Sequence, residues 1–144
     1  MENQSEFKFF IVDDDVFCSS LHEQYLRNIG CTNITHFTNG IDCLDNLHLN
    51  PDIIFLDHDM NDLNGFEVLK KIKRINPGIY VVMISGQENI KTAVDALKYG
   101  AFDYLIKDEN VSKKIETLIS NIVKIKEELK KSNAGFVSKI LSFF

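Results

Sequence analysis

Three apolar runs in this chain end in charge. Phe9 to Val12 run into Asp13, Asp14 and Asp15; Ile53 to Leu56 run into Asp57, His58 and Asp59; Tyr104 to Ile106 run into Lys107. A charged group at the end of an apolar strand is costly to desolvate unless it is paired or holds a metal. Three such ends in one small chain imply a single acidic pocket with a cation at its rim. Carboxylates crowded together repel one another and need a proton or a cation between them. An all-oxygen donor set that leaves room for waters suits a hard divalent ion, Mg²⁺. Lys107 is placed to pair with Asp57 or with an anion seated on it. Ser85, followed by Gly86, offers a hydroxyl beside a position with no side chain. Together these parts suit phosphoryl transfer. Metal and lysine neutralise the transferring group, the hydroxyl donates to one of its oxygens, and a carboxylate is the nucleophile.

These residues can meet only if the chain folds their strand ends to one edge. Short apolar runs at 8–13, 33–37, 52–57, 79–84 and 102–106 alternate with amphipathic stretches. The first stretch, Val16 to Ile29, has apolar residues at Phe17, Leu21, Tyr25, Leu26 and Ile29, a helical spacing that stops at Gly30. A short helix follows from Ile41 to Leu49, closed by Asn50-Pro51. The third helix opens at Asn64-Gly65 with Phe66, Leu69, Ile72 and Ile75 inward. The fourth, over 88–99, has Ile90, Ala93, Val94 and Leu97 as its stripe and ends at Gly100. Ser112 caps a fifth, whose apolar positions run from Ile115 to Leu129; residues 130–135 break it. Uninterrupted apolar strands mark a parallel sheet covered on both faces. Five βα units with no hairpin signal, joined by right-handed crossovers, give an α/β fold: a doubly wound five-stranded parallel sheet with helices on both faces. Ligands bind such sheets at the carboxyl ends of the strands, where Asp13, Asp14, Asp57, Ser85 and Lys107 all fall.

The 144 residues suit one domain, and 44% hydrophobic with 26% charged residues is ordinary for a soluble globular protein. Charge is uneven. Residues 1–106 carry 8 Lys+Arg against 16 Asp+Glu, a net of −8, and residues 107–144 carry 8 against 5, a net of +3. An acidic body argues against nucleic-acid binding. Cys18, Cys31 and Cys43 have no CxxC spacing and read as small, partly or fully buried residues of a reducing compartment. The four histidines lack metal-ligand spacing. With no signal sequence and no run able to cross a bilayer, a cytoplasmic location is expected.

The ordered set Asp13-Asp14, Asp57 with the stretch to Gly65, Ser85-Gly86, and Tyr104 before Lys107 resembles the receiver domain of response regulators (CheY-like, two-component signalling) over residues 1–131. The resemblance implies the flavodoxin-like strand order 2-1-3-4-5 and a signalling phosphoacceptor rather than an enzyme. Asp57 would take a phosphoryl group from a sensor histidine kinase or phosphotransfer protein. Asp14 and Asp57 would ligate Mg²⁺ directly, with the backbone carbonyl of Asp59 as a third ligand and Asp13 acting through a water. Lys107 and Ser85 would hold phosphoryl oxygens. Ser85 and Tyr104 would form a switch pair that reshapes the face of the fourth helix, fifth strand and fifth helix, where a downstream protein docks. The chain departs from the commonest pattern at three places. Asn61 stands where proline is usual. Asp108 follows Lys107 where many members have proline, so a trans bond is expected there. Asp59 sets a carboxylate beside the phosphosite, able to repel phosphate or steer the hydrolytic water.

Simpler roles compete for some residues. Asp15 reads as a helix N-cap and Gly65 as a turn and helix-start residue, neither with chemistry. Other functions weighed are a haloacid-dehalogenase-like phosphohydrolase, on the Asp57-His58-Asp59 spacing, and a pseudo-receiver scaffold that ignores phosphate. A flavodoxin-like electron carrier lacks its phosphate loop after strand one. Residues 132–144 are too few for an output domain. They read as an apolar tail, flexible or docked, or as a short amphipathic helix with Val137, Ile140, Leu141 and Phe144 on one face, seated on protein within the chain or across a dimer, or on a membrane surface.

Overall fold

The computed structural model describes residues 7–60 and 62–142. Its strands are β1 (Lys8–Val12), β2 (Asn33–Phe37), β3 (Ile53–Asp57), β4 (Tyr80–Ser85) and β5 (Asp103–Ile106). Its helices are α1 (Val16–Asn28), α2 (Gly40–Asp45), α3 (Gly65–Ile75), α4 (Ile90–Lys98) and α5 (Val111–Ser142), with one 3₁₀ turn at Leu47–Leu49. All strands are parallel, in the order β2-β1-β3-β4-β5. Register aligns Val12 with Leu56 and Asp57 with Ile84, so the charged residues emerge at one edge.

Alternate residues of each strand feed two cores. Phe9, Ile11, Ile53, Phe55, Val82 and Ile84 pack against Leu26 of α1 and Ile115, Ile119 and Ile122 of α5. Phe10, Val12, Ile54, Leu56, Val81 and Met83 pack against Val68, Leu69 and Ile72 of α3. Burial on both faces is why these strands read as continuous apolar runs. Among the described residues, no helix is long and apolar enough to cross a membrane. The three cysteines are free; Cys31 and Cys43 are buried and Cys18 half-buried.

Several helix readings need correction. In α1 the core face is Ser19, His22 and Leu26, while Phe17 and Leu21 point to solvent. In α3 Val68 is inside and Ile75 outside. In α4 the apolar stripe faces outward: Ile90 is 82% exposed, Val94 and Leu97 are exposed, and Ala96 is the buried residue. Small side chains, Ser19 and Ala96, sit where helix meets sheet, which leaves the larger apolar residues on the far face. Ser112 is not the cap of α5; the helix has begun by Val111, after a turn in which Asp108 accepts from the Asn110 amide. Nor does α5 break at 130–135. It runs unbroken from Val111 to Ser142, and Gly135 keeps a negative φ. One glycine costs a helix interior about 1 kcal/mol, a cost the lysines and alanine around it offset. Val137 lies within α5, but its side chain, like all of Asn61 and Phe144, falls outside what is described.

Candidate functional site

The backbone fixes the first loop before any side chain acts. The Asp13 amide donates to the Phe37 carbonyl at 3.0 Å, which sets the end of β1 beside β2. Asp15 then caps α1, its Oδ1 accepting from the amides of Phe17 and Cys18 at 3.0 and 3.2 Å. Those bonds, that to Cys18 foremost, hold its carboxyl below the usual carboxylate range. Asp13 Oδ1 accepts from the Asp15 amide at 2.9 Å, leaving Oδ2 for the pocket.

The loop after β3 is held from both ends. The His58 amide donates to the Ile84 carbonyl, and the Gly65 amide closes back on the His58 carbonyl at 3.2 Å. A Cβ on Gly65 would come within 2.7 Å of Met83 Cε and 2.8 Å of His58 Cα. That close approach requires glycine and adds a packing reason to the helix-start role. Asp62 ties the same loop to α2, its Oδ2 accepting from the amides of Gly40 and Ile41 at 3.0 and 3.3 Å. The His58 ring leans on Phe66. Among the described residues no peptide bond is cis, so Lys107–Asp108 is trans, as expected without proline.

These loops bring Asp13, Asp14 and Asp57 together, with one carboxylate oxygen from each inside a span of 4.8 Å. Lys107 reaches across from β5. Its ammonium donates to Asp13 Oδ2 at 3.1 Å and Asp57 Oδ1 at 3.2 Å. Asp13 and Asp57 are buried, at 3% and 4% exposure, and Asp14 is the most open of the three. Burial pushes the Asp57 carboxyl up to about 6; Lys107 opposes and the charge of Asp13 adds to it. Burial would lower Lys107, but Asp57 and Asp13 outweigh it and hold the ammonium above its ordinary value. Three carboxylates cluster here, and the one ammonium pairs with two of them, Asp13 and Asp57. The cluster is short of positive charge, and its donors are all oxygen, which is the chemistry of a hard divalent cation site.

Ser85, fully buried, ends β4. Its hydroxyl accepts from the Gln87 amide at 3.2 Å and donates to Asp59 Oδ2 at 3.5 Å. The Tyr104 hydroxyl donates to the Gln87 carbonyl at 3.1 Å. One peptide segment thus links the two residues read as a switch pair. Sequence reasoning missed both Asp62 and Gln87. Asp62 lies in the loop quoted for the resemblance and offered a signal, a side-chain acceptor near a helix start; Gln87 acts through its backbone and offered none.

Comparisons with known proteins bear out the family and the fold. The family model described as the response regulator receiver domain matches residues 9–119. The chain is 37% identical over 98 residues to the transcriptional regulatory protein ZraR of Klebsiella oxytoca, covering 67% of this chain and 22% of that protein. It is 30% identical over 121 residues to the regulatory protein LuxO of Vibrio vulnificus, covering 83% and 26%. The chain therefore spans about a quarter of the length of these curated relatives. Among solved structures, a response regulator receiver domain from Clostridium thermocellum superposes with a TM-score of 0.77 at 25% identity, covering 85% of this chain and 98% of that one. The CheX-CheY-BeF3-Mg complex from Borrelia burgdorferi gives a TM-score of 0.74 at 26% identity, covering 81% and 88%.

Proposed function

The chain belongs to the response regulator receiver domain family, and from that premise we propose that it accepts a phosphoryl group on Asp57 from a sensor histidine kinase or histidine phosphotransfer protein. The observation that carries this reading is the buried Asp57 carboxylate sharing Lys107 with Asp13, beside Asp14. An Asp57 oxygen forms the new P–O bond as the donor's bond to phosphorus breaks, and the leaving imidazole takes up a proton. Lys107 follows the new charge and donates to the phosphoryl oxygens, and the Ser85 hydroxyl turns from Asp59 to do the same. Asp14, Asp57 and the Asp59 backbone carbonyl would hold Mg²⁺, with Asp13 through a water. When bound, Mg²⁺ neutralises the carboxylates and the transferring group. The BeF3-Mg state named for the CheY neighbour supports that assignment.

Turning Ser85 releases the Gln87 amide, and Tyr104, bonded to the same residue's carbonyl, follows. The change is read on α4, β5 and α5. There α4 exposes Ile90, Val94 and Leu97, and a groove of about 420 Å³ between β5 and α5 is lined by Asp103, Tyr104, Lys113 and Thr117. A downstream protein docks on that face; the CheX bound to the CheY neighbour is a partner of this general kind. A receiver meets its phosphohistidine donor in the cytoplasm, and the reading places the chain there.

The test is intact mass after incubation with Mg²⁺ and acetyl phosphate, beside Asp57→Asn. One labile phosphoryl group, absent from Asp57→Asn and absent without Mg²⁺, is expected. No gain in a folded, Mg²⁺-binding protein would overturn the phosphoacceptor reading in favour of a scaffold. Rapid catalytic consumption of the donor would favour a phosphohydrolase.

A further inference from the structure

The helix α5 outruns the domain it belongs to. Lys126 pins it to the amino edge of the sheet, pairing with Asp52 at 2.8 Å and lying over the rings of Phe7 and Tyr80. From there the helix runs to Ser142, about 24 Å further at 1.5 Å per residue. From Glu128 onward every residue whose burial is described is exposed. A single helix with nothing packed on it is marginal in water.

Most of the apolar residues on this projection share one face, with Leu141, 67% exposed, lying off it. At about 100° per residue, Leu118, Ile122, Ile125, Leu129 and Ile140 fall within roughly 60° of one another. Leu118 and Ile122 are buried against the sheet, whereas Ile125 is 38%, Leu129 54% and Ile140 40% exposed. The stripe that seats α5 on the domain thus continues past the domain with nothing described against it.

We propose that a second copy of this chain covers it, the two α5 projections pairing antiparallel. So narrow a seam fits another helix; a helix lying in a membrane surface needs a broad apolar face. The stripe is complementary to itself. A two-fold axis beside residues 132 and 133 sets Ile125 against the partner's Ile140, with Leu129 between them on the same stripe. Ser132 and Asn133, which border the stripe at the crossing, are short side chains that let the helices approach. Charge agrees. Glu128 and Lys139 lie on the same flank of the stripe, and in an antiparallel pair like flanks meet. The axis brings Glu128 within two residues of a position opposite the partner's Lys139, and does so twice. Parallel pairing would leave those charges roughly 16 Å apart. In the single chain Glu128 meets Lys131 at 3.6 Å with both side chains largely exposed, a pairing worth little. The association is independent of phosphoryl transfer at Asp57.

Sedimentation velocity of the full chain tests it, using wild type, Glu128→Lys, Lys139→Glu, the double swap, and Leu129→Ser combined with Ile140→Ser. Circular dichroism and a cooperative thermal unfolding transition check that each variant is folded. Wild type is expected to move from monomer to dimer with concentration, and the serine variant to stay monomeric. Each single swap should weaken association about tenfold or more, and the double swap should restore it. A wild-type chain monomeric at about 100 µM overturns the proposal, as does a double swap as weak as the singles. Stripe-dependent binding of the monomer to phosphatidylglycerol vesicles would overturn it in favour of a membrane surface.

Discussion

Asp57→Asn should stabilise the metal-free protein. Asp57 is buried at the end of β3 and shares one ammonium with Asp13. Burial raises its carboxyl from 3.8 to about 6. A raised value means that the folded chain binds more protons than the unfolded chain between these limits. Stability therefore falls as pH rises through that window, and above it the ionised carboxylate is a burden on the fold. The full shift corresponds to about 3 kcal/mol, and relaxation around a cluster that shares its charge reduces the expected effect to about 2 kcal/mol. Asparagine keeps the shape and removes the charge, while Lys107 keeps Asp13 at 3.1 Å. In chelator at about pH 7.5, urea unfolding of the variant should show a higher midpoint at unchanged slope. Near pH 4 the advantage over wild type should vanish, because both side chains are then neutral. Adding Mg²⁺ should narrow the gap at neutral pH, since the metal relieves the wild-type repulsion. Equal midpoints at neutral pH, or the same advantage in acid, would refute the picture of an under-compensated carboxylate cluster.

Asp62→Ala leaves the amides of Gly40 and Ile41 without their acceptor and should cost about 1 kcal/mol, read in thermal unfolding. Gly65→Ala forces a methyl into Met83 and the His58 backbone; it should cost about 1–3 kcal/mol and slow acetyl-phosphate labelling of Asp57 by moving the loop that carries it. Tyr104→Phe removes the donor to the Gln87 carbonyl. It should leave the yield of Asp57 phosphorylation unchanged while amides 86–89 exchange faster with deuterium, measured by mass spectrometry.

The strands and the acidic cluster were legible in the sequence for one physical reason. A buried parallel strand tolerates no charge in its middle, so Asp13, Asp57 and Lys107 mark where each strand leaves the core, and parallel topology collects those ends. What could not be read was the set of contacts holding the loops. Asp62 reaches 22 residues back to Gly40, and Gln87 joins Ser85 to Tyr104 through a peptide group that any residue but proline would supply at its amide. Residue type carries no record of either distance.

The helices misled in an instructive direction. Periodicity says that a helix has an apolar face; it does not say that the face is turned inward. In α4 the alternatives differ in what meets the sheet. Ala96 seats the helix close to the chain that enters β5, and the price is a solvent-exposed row of Ile90, Val94 and Leu97. On the function proposed above, such a row is a surface held for another protein. The inverted stripe of α4 and the overrunning stripe of α5 then have one explanation: apolar spacing exceeds what the core can use, because part of it is written for partners. The two rows make separable predictions, since Val94→Ser should spare α5 self-association and impair only what docks beside Tyr104.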